Sequence, residues 1–450
     1  MKSDHRSADP QRQAALEIFL AGVAAADPHQ AVRSNLEIAP DGRPVIAGQE
    51  LSPGGGLRIV AFGKASISMA EAALELLPAE IFPGAGIVAV NPENQRQVDR
   101  FEVFASSHPV PDEVGVAAAG AVERYLKGSR EEDALLVLIS GGGSALLPAP
   151  APGISLEDKM ETTRLLLASG APIQEINAIR KHLSTLKGGG MARLASPSRV
   201  EALILSDVIG DDLSSIASGP TAPDPTTFEE VATILDRYSL TDEVPEAVRR
   251  RVEQGVRGEI ADTPSGGDAI FDRVSNRLVG TNSRSLEAAG QHATKMGFET
   301  LVLTEPLLGE AREAPAVFKG ALLRHWPQDQ PLAILAGGET TVTLLGAGRG
   351  GRNQEMALAF ALQAASDPPL GRWVFLSGGT DGRDGPTDAA GGMVDAGTLD
   401  RVRAAGLDPA AELEDNNSFA ALSAAGDLLQ TGSTGTNVAD LQVLLLHPRS

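Results

Sequence analysis

The sequence contains no cysteine. Disulfides, thiolate nucleophiles and cysteine metal sites are therefore excluded. Positive charge is also short: 38 lysines and arginines stand against 59 acidic residues, a formal net charge of −21. Such a surface repels nucleic acid and anionic lipid. It repels an anionic substrate too, so a phosphate site has to be built from local cations and backbone N–H groups. Lysine is rarer still. Only eight are present, leaving thirty arginines, so a lysine inside a glycine-rich motif stands out. No apolar run approaches the length of a membrane span. The opening MKSDHRSADPQRQ lacks the apolar core of a secretory signal. The expectation is a soluble cytoplasmic protein that binds neither nucleic acid nor membrane. Neither a G-x-S-x-G elbow nor a G-x-x-x-x-G-K-[ST] loop occurs.

What is present is 450 residues of ordinary globular composition, enough for two or three domains. The stretch Ala134 to Ser140 is almost wholly apolar without alternation, the habit of a strand buried on both faces. It ends in Gly141-Gly142-Gly143-Ser144, more glycine than a tight turn needs. A strand, a glycine loop and a helix hold anions at the C-terminal edge of α/β sheets. Further buried strands at Leu57–Phe62 and Gly86–Val90 alternate with helices at 65–77 and 113–126. That alternation predicts an α/β fold with a doubly wound parallel sheet. Helices are also expected at 11–26 and 173–194, and a linker at Pro327–Pro331.

Candidate chemistry sits in the loops. Lys64 follows a buried strand and Gly63 and opens a helix, where its ammonium adds to the positive helix end. Arg352, in Gly350-Gly351-Arg352-Asn353-Gln354-Glu355, opens another helix after a glycine loop. A guanidinium there can grip phosphate oxygens in bidentate fashion. Two carboxylate clusters follow apolar strands: Asp207, Asp211 and Asp212, and Asp381, Asp384 and Asp388. Hard Mg²⁺ takes one or two carboxylates plus substrate phosphates. His108, beside Pro109, is an acid/base or substrate-binding candidate. The spacing Gly346-x-Gly348-x-x-Gly351 also matches a dinucleotide fingerprint. Its required acidic residue is misplaced, because Asp367 lies before the next strand and Asp381 too far beyond it.

Taken together and in order, these motifs resemble the bacterial and archaeal glycerate 2-kinases whose C-terminal domain is called MOFRL. The resemblance is carried by Gly63-Lys64-Ala65, His108-Pro-Val-Pro-Asp112, Ser140–Ser144, Asn177–Ser184 with Lys187-Gly-Gly189, and Ser206–Ser214. It continues through Gly337-Gly-Glu-Thr340, Gly350–Glu355, Thr380–Asp388 and Thr434-Gly-Thr-Asn-Val438. It implies a Rossmann-like domain over 11–265, a connecting α/β segment over 266–331, and a smaller α/β MOFRL domain over 332–450, with the site in the cleft between domains. It implies transfer of the ATP γ-phosphoryl group to the 2-hydroxyl of D-glycerate with Mg²⁺ or another divalent cation. Lys64 and Arg352 fall on the family's catalytic positions. The loop Gly141–Ser144 would then cradle phosphates. Asp207, Asp212, Asp381 and Asp384 are the metal candidates, and Lys181, Arg180 or His108 would pair with the substrate carboxylate. A homodimer is compatible with all of this. The competing readings are an NAD(P)H-dependent hydroxypyruvate reductase, resting on the glycine fingerprint, and a non-catalytic nucleotide or sugar-acid sensor. A sensor needs fewer charged residues in separate glycine loops.

Overall fold

The computed structural model describes residues 9–51, 56–325, 330–367 and 371–448. It divides into two compact units: 28–279, and 1–27 together with 280–450.

The 28–279 unit is built on six strands: β1 Gly56–Phe62, β2 Gly86–Val90, β3 Phe101–Ala105, β4 Asp133–Ile139, β5 Arg199–Leu205 and β6 Val274–Gly280. Their spatial order is β3-β2-β1-β4-β5-β6, and the pairings from β3 across to β5 are parallel. Every residue of β4 is buried, as its unbroken apolar run demands. The chain lays down β1, β2 and β3 outward, then returns to place β4 on the other side of β1. That reversal is a topological switch point, where open α/β sheets bind ligands beyond the strand ends. The loops after β1 and β4 are those holding Lys64 and Gly141–Ser144. The helix expected over 173–194 is interrupted. It runs Ile173–His182 and resumes at Gly190–Ala195, because Gly188 and Gly189 take φ of +53° and +77°.

The other unit holds β7 Glu299–Val302, β8 Leu332–Gly338, β9 Arg372–Gly379, β10 Gly391–Asp395, β11 Leu428–Leu429 and β12 Asp440–His447. Their order is β7-β8-β12-β9-β10-β11. The sheet is mixed: β7 and β8 are parallel, and β12 runs antiparallel to both β8 and β9. The helix Pro10–Ala24 belongs here, burying Ala15, Ile18 and Phe19 in one apolar cluster with Leu376, Leu441 and Val443. The segment expected to connect two domains, 266–331, divides at Gly280, with β7 entering this second sheet. Most of the expected linker Pro327–Pro331 lies outside the described residues. Among the described residues no helix is long and apolar enough to cross a membrane.

Candidate active site

At the switch point the loops after β1 and β4 are locked together. The Lys64 N–H donates to the Gly141 carbonyl at 2.9 Å, and the Ala65 N–H donates to Ser140 Oγ at 3.0 Å. Each glycine of the trio is required by a close approach. A Cβ on Gly141 would lie 2.3 Å from Asp207 Oδ2, and one on Gly143 would lie 2.8 Å from the Phe62 ring. Gly142, at φ +83°, would meet His108 Cδ2 at 2.9 Å and Lys64 Cγ at 3.5 Å. Lys64, His108, Asp207 and Gly142 are thus gathered in one place.

The electrostatics of the group are mutual. Burial pushes the Asp207 carboxyl above the ordinary carboxylate range, opposed by backbone N–H groups, including that of Gly142, and by the Lys64 ammonium. Burial, and then the Lys64 charge, push the His108 imidazole below its ordinary value, with Glu93 pulling the other way. Asp212 is more exposed. Burial would raise its carboxyl, but the hydroxyls of Ser215 and Ser214 hold it lower.

The loop after β5 closes over this centre in a strained shape. Ala217, Ser218 and Gly219 all have positive φ, costly for the first two. Ser218 Oγ lies 2.7 Å from Ser144 Oγ, and Ala217 Cβ sits 3.0 Å from where a Cβ of Gly143 would be. From below, buried Lys187 donates to the Ser144 and Leu147 carbonyls at 2.8 and 3.1 Å. Buried Lys159 likewise donates to Pro148 and Leu183 at 2.8 and 2.9 Å. Sequence reading picked out neither as a tie to these carbonyls; only the scarcity of lysine hinted at them. Lys181, expected to bind substrate, is instead committed to Asp224 at 3.2 Å, with both side chains buried.

In the other unit, the motif Arg352–Glu355 opens the helix Arg352–Ser366, and all four side chains are bound. Arg352 grips Asp440 through Nε (2.6 Å) and Nη2 (3.0 Å), while Nη1 pairs with Glu339 at 3.1 Å. The bidentate fork foreseen for phosphate thus closes on a carboxylate. Burial opposes the charge of Arg352, but Asp440 and Glu339 outweigh it and raise its pKa. Asn353 accepts from Ser377 Oγ, Gln354 donates to Asp384 and Thr387, and Glu355 takes Arg312 and Asn416.

Asp384, expected among the metal ligands, is otherwise employed. Its two oxygens accept from the N–H groups of Asn353 (3.1 Å) and Gln354 (2.8 Å) and from both side-chain amides. A carboxylate offers about four lone-pair sites, so none is left for a cation. It also neutralises the positive end of the helix, where phosphate would otherwise sit. Asp381, less buried, accepts from the Arg383 N–H at 2.9 Å and keeps further acceptor capacity. Among the described residues no group of three or more His, Asp or Glu is arranged to hold a metal. Mg²⁺ needs only one or two protein carboxylates; of the remaining candidates, Asp207 and Asp212 lie in the 28–279 unit and Asp381 in the other.

The dinucleotide fingerprint dissolves in three dimensions. β8 ends at Gly338 and the helix starts only at Arg352, so no tight strand-to-helix turn exists. Cβ atoms on Gly346 and Gly348 would each lie 2.5 Å from the Asp415 carbonyl. These glycines let one loop pack on another.

Two family models match the chain. One, described as a domain of unknown function (DUF4147), covers residues 14–253, and the MOFRL family model covers 332–440. The glycerate 2-kinase of Pyrococcus horikoshii is 40% identical over 441 residues, 97% of each chain. The chain belongs to the MOFRL glycerate 2-kinase family. Within that family names vary: an Agrobacterium vitis relative, 42% identical over 97% of this chain and 94% of its own, is called a putative hydroxypyruvate reductase. A crystal structure titled glycerate kinase from Thermotoga maritima superposes with a TM-score of 0.83 at 38% identity, covering 97% of this chain and 99% of that one. Full-length likeness to members of the kinase family fits the mixed α/β architecture described above.

Proposed function

We propose that the protein transfers the γ-phosphoryl group of ATP to the 2-hydroxyl of D-glycerate, yielding 2-phosphoglycerate. The observation that carries this reading is the switch-point cluster, in which Lys64, His108 and Asp207 converge on Gly142, in a chain of this family. Phosphoryl transfer asks a protein for positioning and charge neutralisation more than for covalent chemistry. Lys64 offsets charge on the transferring phosphoryl oxygens. In the other unit the Arg352 fork is aligned by Asp440, and its contact with partly exposed Glu339 is the one a phosphate oxygen would exchange. The glycine loop lets ligand oxygens approach the backbone closely. Within the 28–279 unit, Asp207 with Asp212 is the carboxylate set suited to Mg²⁺, and Asp381 is the candidate in the other unit. When bound, the ion neutralises phosphate charge. His108, pushed toward its neutral form by burial and by Lys64, is suited to accept a hydrogen bond near Lys64. A cytoplasmic site of action accords with use of ATP.

The test is product identity. Purified protein, D-glycerate, ATP and Mg²⁺ are coupled to enolase without phosphoglycerate mutase. A signal identifies 2-phosphoglycerate. A signal only after mutase is added identifies 3-phosphoglycerate and refutes the regiochemistry. NADH consumption with hydroxypyruvate, and no ADP from glycerate, would replace the kinase reading with the reductase one.

A further inference from the structure

The helix Ile173–His182 ends in three basic residues beside the switch-point loops, and their fates differ. Lys181 is paired with Asp224. The His182 ring is buried against Phe228, its Nδ1 2.9 Å from the Ala178 carbonyl. The two nearby buried ammoniums are also occupied, Lys187 on Ser144 and Leu147, and Lys159 on Pro148 and Leu183. Arg180 alone of this set makes no hydrogen bond or ion pair among the described residues, although it is half-buried. Its guanidinium lies within electrostatic reach of both Lys159 and Lys187. Lys187 in turn donates to the Ser144 carbonyl, which links this group to the glycine loop.

A half-buried guanidinium beside two buried amines that burial pushes toward their neutral form, with no carboxylate of its own among the described residues, is uncompensated. In a chain of net charge −21 such a spot is an exception. What satisfies it is a small anion, and a guanidinium fork matches the two oxygens of a planar carboxylate. We propose that Arg180 holds the carboxylate of the acceptor substrate, and so sets the preference for a hydroxy acid over a neutral polyol. This rests on the kinase reading, and it favours one of three sequence candidates: Lys181 is spent on Asp224, and burial and the Lys64 charge disfavour a positive charge on His108.

The experiment compares wild type, Arg180→Ala and Arg180→Lys with D-glycerate and with its uncharged amide, D-glyceramide. Arg180→Ala should raise KM for D-glycerate by about 10- to 10²-fold, the worth of a charge-assisted hydrogen bond pair. KM for ATP and turnover of the amide should be unchanged, Arg180→Lys should fall between, and added guanidinium ion should restore part of the loss. Equal losses with acid and amide would mean a structural role, and a rise confined to ATP would mean a phosphate contact; either overturns the proposal. Thermal unfolding with D-glycerate alone reads the same contact without turnover. Stabilisation of wild type but not of Arg180→Ala supports it even if no ADP forms, a result that would sink only the kinase reading. Equal stabilisation of both overturns it.

Discussion

Arg352 and Asp440, 88 positions apart in sequence, form a two-bonded ion pair in which the carboxylate is 1% exposed and the guanidinium 33%. The arrangement fixes the plane of the guanidinium while leaving its Nη1 side towards a more exposed partner, Glu339. Asp440 is thereby a positioning residue, if Arg352 acts on the phosphoryl group. Asp440→Asn should lower kcat by up to about 10²-fold, because small misplacements of a charge-stabilising group cost that much. The double variant with Arg352→Ala should be no slower than Arg352→Ala alone. Losses that simply multiply would show the two residues working independently.

Lys64→Ala should cut kcat by roughly 10²-fold or more, as for other preorganised electrostatic groups. It should also move His108. That imidazole is held below its ordinary value by burial first and by Lys64 second, so removing the ammonium should let its pKa rise. Titration of the ring protons by NMR in the two proteins reads this directly. An unmoved His108 would place the Lys64 charge elsewhere.

Much of the first centre was legible in the chain because its determinants are local. An apolar run such as Leu135–Ile139 announces a buried strand, and the Gly63-Lys64 and Gly141–Ser144 loops follow their strands directly. Strand adjacency then brings the two loops together without further instruction. The second centre was half legible. The motif Gly350–Glu355 could be found by spacing, but not what it binds. Asp384 and Asp440 reach it from 31 and 88 positions away, and nothing in an Asp-Gly turn distinguishes a metal ligand from a helix cap. Likewise the glycines at 346, 348 and 351 satisfy a fingerprint by count, while their actual purpose is contact with the 384 and 415–417 segments. Buried Lys159 and Lys187 escaped for the same reason: carbonyl partners leave no side-chain signature.

Asp384 gives a pH prediction. Burial lifts its carboxyl from the ordinary 3.8 to about 6, despite the opposing N–H groups of Gln354 and Asn353. Between those two values the folded protein keeps a proton that the unfolded chain has released. Stability from this group therefore falls as pH rises from 3.8 to about 6, by on the order of 3 kcal/mol. Urea unfolding at a series of pH values should show this slope in wild type and lose it in Asp384→Asn. Asp384→Ala, which uncaps the helix, should cost about 1–2 kcal/mol at all pH values. An unchanged slope in Asp384→Asn would assign the titration to another group.

A pair of glycines separates backbone strain from site geometry. Gly142 and Gly153 have nearly the same φ, +83° and +82°, but a Cβ on Gly153 meets nothing within 4 Å while one on Gly142 runs into His108. Alanine at either position carries the cost of a left-handed backbone, about 1 kcal/mol. Gly153→Ala should therefore lose that much stability and keep full turnover. Gly142→Ala should lose as much and also displace His108 and Lys64, with kcat down by roughly 10-fold or more. Thermal unfolding and initial rates on the two variants decide the matter. Full activity in Gly142→Ala would mean that His108 and Lys64 tolerate displacement, and the convergence on Gly142 would lose its claim to be the reacting centre.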